Sequence, residues 1–314
     1  MKKIRTYLIR GSFLLFILGL FLLDKALEFL YTTNPNIKSN FVRISPPNAD
    51  VIVLGSSNVM SGFEPVAYRQ ETGKKAYNLS AYHATFAEQK SMLYLYLKYN
   101  SKPECVLIGF NPADINFYRS EFHAAPYIFY RNDTTIAWYL EENDEWSFRV
   151  SYLPLIRYTW HNPNVLPYAG QSLYKMLSGH AGAFSPGGYY EAHQNKGFMA
   201  RFEKAVNQRS TALSPELNNK DLSELLDLLD FVKVQGIRCL VFITPVYQQA
   251  RKCIYNEGHI NEELKNSIRE RGMQFYAFSD SLSAKEENFA GVFHMTKTGA
   301  RKLTHELARQ VENP

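Results

Sequence analysis

Several reactive side chains of this 314-residue chain sit in short clusters that directly follow apolar runs or precede a helix. Gly55-Ser56-Ser57-Asn58 follows DVIVL, Ser80-Ala81-Tyr82-His83 follows AYNL, and Gly109-Phe110-Asn111 closes ECVLIGF. Thr244-Pro245-Val246 follows a fourth run, and Phe293-His294-Met295-Thr296 precedes the last helical segment. The clusters bring together a hydroxyl, amide donors and an imidazole. Acyl transfer by an activated serine needs this set: a nucleophile, a base within hydrogen-bond reach, and donors aimed at the oxyanion. Each cluster also has an ordinary structural reading. Gly-Ser-Ser after a strand makes a turn and a helix N-cap. Asn111 before Pro112 makes a turn, and His83, His123 and His294 can be capping, core or surface histidines.

The elements that must position these residues alternate. Residues 50–55, 76–80, 104–110, 237–245 and 273–280 read as strands, three of them as continuous apolar runs of the buried parallel kind. Helical spacing marks residues 87–100, where Met92, Leu93, Leu95, Tyr96 and Tyr99 share a face. Further helices are expected from Ser214-Pro215-Glu216 to Gly236, over 260–272 and over 296–311. This pattern predicts an α/β fold, a three-layer sandwich around a mostly parallel sheet. Ligands of such sheets bind beyond the strand carboxyl ends, where the polar clusters fall. Residues 115–215 break the rhythm. They are rich in aromatics, hold all three Trp, and read as an irregular insertion. The acidic run 141–145 reads as a solvated loop.

Composition excludes several classes. Hydrophobic residues make up 46% and charged residues 21%, which rules out a disordered or fibrous chain. Net charge is +5, without a clustered basic face beyond the N-terminus, so no nucleic-acid partner is expected. Three Cys cannot make a disulfide framework, and Cys105 and Cys239 read as buried strand thiols. A Cys239–Cys253 bond has no support in the pattern. No metal or other cofactor is expected, and the surroundings of His193 lack metal-ligand spacing.

The N-terminus reads as a membrane signal anchor. Lys2, Lys3, Arg5 and Arg10 precede the apolar run 11–23, and residues 6–23 approach the ~20 needed to cross a bilayer. A cleaved signal peptide is the rival reading, but no small-x-small site follows. The positive charges place the N-terminus in the cytoplasm. The expected organisation is then a stub and single-pass anchor over 1–32 and an α/β domain over 33–314, the insertion at about 115–215 included. The domain lies on the periplasmic or extracellular side of the cytoplasmic membrane.

Order and spacing of the clusters resemble the SGNH/GDSL hydrolase superfamily. Within it the chain is similar to membrane-anchored members that modify cell-envelope polymers, such as teichoic-acid D-alanylation and alginate O-acetylation proteins. The resemblance covers about residues 48–112 and 220–312. VIVLGSSN places Ser57 on the nucleophile and Ser56 on the usual Asp. YNLSAYHA places Ser80 on the oxyanion glycine, and Gly109-Phe110-Asn111 matches the block whose Asn donates to the oxyanion. FAGVFHMTKTGA places His294 on the base and Gly299 on the helix glycine, with Gly291 where the family has its triad Asp. The resemblance implies Ser57 and His294 as catalytic residues and Ser57, Ser80 and Asn111 as the oxyanion hole.

Without the acid, three arrangements are open. Ser57 and His294 work as a dyad with a backbone carbonyl orienting the ring, or Asp280, Glu286 or Glu287 supplies the acid, or the chain keeps the scaffold without hydrolysis. Two functions follow. One is a Ser esterase or O-acyltransferase for an acylated envelope glycan or lipid-linked precursor, with a membrane acyltransferase as the partner that the resemblance implies. The alternative is an inactive module that binds or scaffolds envelope polymer. A contact between Ser57 and His294 favours the enzyme.

Overall fold

The computed structural model describes residues 2–34, 37–44, 47–111, 123–124, 126–156, 165–179, 187–194, 219–251, 257–278 and 280–312, with 197, 200 and 204 as isolated positions. The chain divides into two compact units, residues 1–44 with 123–182, and residues 45–122 with 183–314. Helices and strands are numbered along the chain.

The first unit is helical. It holds α1 (Lys2–Thr32), α2 (Lys38–Ile44), α6 (Thr134–Asn143), α7 (Glu145–Val150) and α8 (Val165–Ser178). Its core includes Tyr31, Val42, Ile128, Ile136, Leu140 and Val150. Tyr130 ties it together, donating from its hydroxyl to Ser39 O at 2.8 Å. The stretch expected to be irregular is therefore helical over these residues, and its signals are aspartate caps. Asp133 accepts from Thr135 N and Ile136 N at 3.0 and 3.1 Å. Asp144 accepts from Ser147 N at 2.9 Å. Residues 141–145 are thus the end of one helix and the cap of the next, not a solvated loop. α1 continues nine residues beyond the expected apolar span. Residues 6–9 of that span lie where side chains are outside the described set, and no described helix is long and apolar enough to cross a membrane.

The second unit is an α/β sandwich. Its strands are β1 (Val51–Leu54), β2 (Ala76–Asn78), β3 (Cys105–Phe110), β4 (Arg238–Ile243) and β5 (Gln274–Ala277). They form one parallel sheet in the order β2-β1-β3-β4-β5. Between them run α3 (Ser57–Gly62), α4 (Pro65–Thr72), α5 (Phe86–Tyr99), α9 (Asn219–Val234), α10 (Gln248–Arg251) and α11 (Glu257–Glu270); α12 (Asp280–Ser283) and α13 (Lys297–Glu312) follow the last strand. Successive strand side chains point to opposite faces. Val51, Val53, Leu107, Leu240 and Phe242 pack in one cluster with Leu303, Leu307 and Val311 of α13. α5 and α9 pack on each other, with Leu93, Leu225, Leu228 and Val232 fully buried. Cys105 and Cys239 are free, buried thiols on adjacent strands, and Cys253 lies outside the described residues.

Chain order reverses between β1 and its two neighbours, β2 on one side and β3 on the other. In a parallel sheet this is the switch point, where the connections depart to opposite faces and leave a crevice at the strand carboxyl ends. Leu54 pairs with Ile108, so the chain leaving β1 at Gly55 passes beside Gly109, which still pairs with β4. The backbones are unusually close there. A Cβ on Gly55 would lie 2.6 Å from Gly109 O, and one on Gly109 would lie 2.3 Å from the Phe242 ring.

Candidate active site

Ser57 is the first residue of α3, directly beyond β1. Ser56, extended at φ −86° and ψ −164°, turns the chain from strand to helix. Ser57 is mostly covered, at 8% exposure. The backbone N–H groups of a helix's first turn have no partner within the helix, so the Ser57 N–H is a donor at the nucleophile itself.

His294 arrives from the other end of the chain. Its Nε2 lies 3.0 Å from Ser57 Oγ, across 237 residues of sequence. The loop carrying it is held from several sides. Ala290 N donates to His294 O at 2.8 Å and Thr296 N to Asn288 O at 2.9 Å. Buried Asn288 donates from Nδ2 to Leu282 O at 3.0 Å and accepts from Lys302 Nζ at 2.9 Å. α13 starts so close that a Cβ on Gly299 would sit 2.2 Å from Asn288 O. Gly299 therefore lets the helix dock on the histidine loop. Burial, and secondarily the nearby His83, lower the His294 pKa below the ordinary imidazole value. A neutral ring can accept the serine proton, with Nε2 as acceptor and the ring's own proton on Nδ1.

Of the expected acid residues, the two that are described fall elsewhere. Gly291 lines the cleft at the family's Asp position without a side chain. Glu287 pairs with Lys302 at 3.0 Å, and this partner lowers its pKa. Glu286 is exposed in the same short turn. The Asp280 side chain lies outside the described residues. Among the described residues, no carboxylate hydrogen-bonds the His294 ring.

Asn111 directly follows β3, the strand next to the one that leads to Ser57, and is fully buried. Ser80 is also buried, but its N–H donates to Asn78 Oδ1 at 3.1 Å. Asn78 was not singled out by the sequence and is central here. Its Nδ2 donates to Val59 O at 3.0 Å and Phe63 O at 3.1 Å, tying the end of β2 to the helix that carries Ser57. His83 is exposed and adopts a left-handed backbone, φ +49°, one residue beyond Tyr82. Strained conformations of this kind cluster at functional sites. His123 belongs to the other unit.

Ser57 and His294 open into a cleft of about 310 Å³ walled by Tyr82, Tyr190 and His193. The rings of Tyr82 and Tyr190 meet edge to face at 5.9 Å, and both are exposed. Tyr190 and His193 come from the end of the expected insertion, which returns to this unit. Asn78 N donates to Gly187 O at 2.7 Å, and Tyr190 N to Met60 O at 3.2 Å. Gly188, at φ +79°, allows the return, because a Cβ there would meet Asn78 O at 2.4 Å. The Pro-Gly-Gly-Tyr-Tyr turn was the available signal for this wall. Among the described residues, no group of His, Cys, Asp and Glu could hold a metal ion.

No family model matches the chain, and no curated protein does. Among solved structures, a protein from Bacteroides fragilis NCTC 9343, provisionally described as an acylhydrolase, aligns over 84% of this chain and 86% of its own, at 11% identity and a TM-score of 0.37. So distant a likeness decides nothing about the chemistry, which is read from the residues.

Proposed function

We propose that this chain is a serine acyl-transfer enzyme of SGNH/GDSL type. It is anchored in the cytoplasmic membrane and acts, as an esterase or O-acyltransferase, on an acylated cell-envelope glycan or its lipid-linked precursor. The observation that carries the proposal is the 3.0 Å contact between Ser57 Oγ and His294 Nε2 at the switch point of a parallel sheet. Ser57 Oγ attacks the acyl carbon while its proton passes to His294 Nε2. The carbonyl oxygen becomes an oxyanion, facing the Ser57 N–H and the Asn111 side chain, with Ser80 engaged by Asn78 in the resting site. The intermediate collapses and expels the alcohol, which takes the proton from His294. Water or a polymer hydroxyl then attacks the acyl-enzyme and gives its proton to His294, which passes it to Ser57 Oγ as the acyl–oxygen bond breaks and Ser57 is released. The pair works as a dyad, since Gly291 offers no acid. In a Ser-His-Asp template, disabling the acid lowers kcat by ~10⁴, so slow turnover is expected.

The membrane reading rests on α1. Phe13 to Ile17 are 46–70% exposed, and Leu18, Phe21, Leu22 and Leu23 about half exposed, an apolar surface with basic residues before it. The glycan reading rests on the paired Tyr82 and Tyr190 beside the nucleophile, since tyrosine offers an apolar face with a polar tip. A membrane-embedded acyltransferase is the partner expected to supply acyl groups if transfer, not hydrolysis, is the reaction.

The test is release of acid from O-acetylated glycans and simple acetyl esters by the full chain in detergent. Wild type is expected to turn over slowly, and Ser57→Ala and His294→Ala not at all. Equal rates in all three would point to the scaffold alternative.

A further inference from the structure

One helix of the helical unit, α8, shows a burial pattern opposite to the one water selects. α8 buries Ala169 and Ser172, while Leu166, Leu173, Tyr174, Met176 and Leu177 are exposed, Leu177 at 80%. A helix in a water-soluble fold turns its large apolar side chains inward. Helix contacts inside a bilayer use small residues and leave the large ones to lipid.

α8 lies against α1. Asn34 Nδ2 donates to Tyr168 O at 2.9 Å, and the Tyr31 and Tyr168 rings meet edge to face at 6.2 Å. α1 ends at Thr32 and Tyr168 sits in the first turn of α8, so α8 keeps its extensive contact with α1 only by running back along it. Both helices rise ~1.5 Å per residue, which carries the last turn of α8 back to about the level of exposed Phe21, Leu22 and Leu23.

We propose that α8 is a second membrane-contacting element, whose last two turns enter the outer leaflet beside the point where α1 leaves the bilayer. This rests on the reading of α1 as an anchor. The exposed apolar face of α8 continues that of α1, and lipid is the occupant that fits both. With 14 residues α8 is about 21 Å long, too short for a hydrocarbon core of ~30 Å, so it dips into the leaflet without crossing. Lys175 lies in the inserted turns, its Nζ buried and without a hydrogen-bond partner among the described residues. A rotation of its flexible stem would carry the ammonium to lipid phosphates. Tyr174 places a polar tip on an apolar ring at the same level, the composition favoured at membrane interfaces.

The experiment uses the full chain in vesicles of phosphatidylethanolamine and phosphatidylglycerol, doped with phosphatidylcholine carrying a diazirine in its acyl chain. Adducts are mapped by peptide mass spectrometry after photolysis. The expected result is adducts in residues 13–23 and also in 173–177. A Leu173→Glu, Leu177→Glu variant is expected to lose at least tenfold of the second set and keep the first. Adducts in 13–23 alone would overturn the role of α8 and leave the anchor standing. Adducts in neither segment would overturn both, and labelling of 173–177 undiminished in the variant would also overturn the proposal.

Discussion

His294 meets two demands at once: it must be neutral to accept the Ser57 proton, and it must keep its orientation without a carboxylate behind it. Burial and the neighbouring His83 meet the first by lowering its pKa. The acid limb of kcat/KM is therefore expected below the ordinary imidazole value of about 6.5. His83→Ala removes the repulsion and should move that limb up in pH, which a pH–rate profile reads directly. Stability follows the same sign. A folded-state pKa below the unfolded one means that His294 contributes stability above about pH 6.5, lost as pH falls. His294→Gln should flatten that part of the melting-temperature profile between pH 7 and 5. The second demand is the weaker link. Asp280→Asn is expected to leave turnover within about twofold, as a dyad requires. Gly291→Asp is expected to raise kcat at least tenfold, a small part of the ~10⁴ that the acid contributes in a full triad. A fall to background in the Asp280 variant would make Asp280 the missing acid.

At the scale of elements, the site depends on places where backbones approach more closely than a side chain permits. Gly299→Ala would put a Cβ 2.2 Å from Asn288 O, and neither the helix nor the loop can yield cheaply. We expect a loss of about 1–3 kcal/mol, read as a lower urea midpoint, with a larger fall in kcat because the same loop carries His294. Asn78→Ala removes the bonds from β2 to α3, and buried donors and acceptors left without partners cost about 1–3 kcal/mol each. Its activity should fall with its stability, since α3 presents Ser57. The strands and their helices were legible because unbroken apolar runs such as VIVL and CVLIGF have few alternatives to a buried parallel strand. Ser57 was legible as a hydroxyl at a strand end, and His294 as an imidazole just before the last helix. Asn78 was not, because its role lies in the backbone carbonyls of Val59 and Phe63, which only the fold brings to it. The helices of residues 134–150 were hidden by aromatics with no clear periodicity, and their caps, Asp133 and Asp144, read as loop residues.

The whole molecule joins an α/β unit holding the candidate site to a helical unit in which α1 and α8 turn large apolar residues outward. No single residue states that division, because the helical unit takes one part from the N-terminus and another from the middle of the chain. Sequence reading treats these parts separately, as anchor and insertion. If α1 anchors the protein, paired substitutions in its apolar run should release it. Leu15→Lys with Leu18→Lys adds roughly 2.5–3.5 kcal/mol per residue at the centre of a span, and a vesicle flotation assay should move the protein from the lipid layer to the aqueous fraction. The claim on which the functional reading of the site depends is that Ser57 is activated by His294 without a carboxylate. Intact-mass labelling of the full chain with a serine-reactive phosphonate tests it most directly. The account expects one adduct on wild type, absent from Ser57→Ala and His294→Ala; a folded wild-type protein that takes no adduct would contradict it.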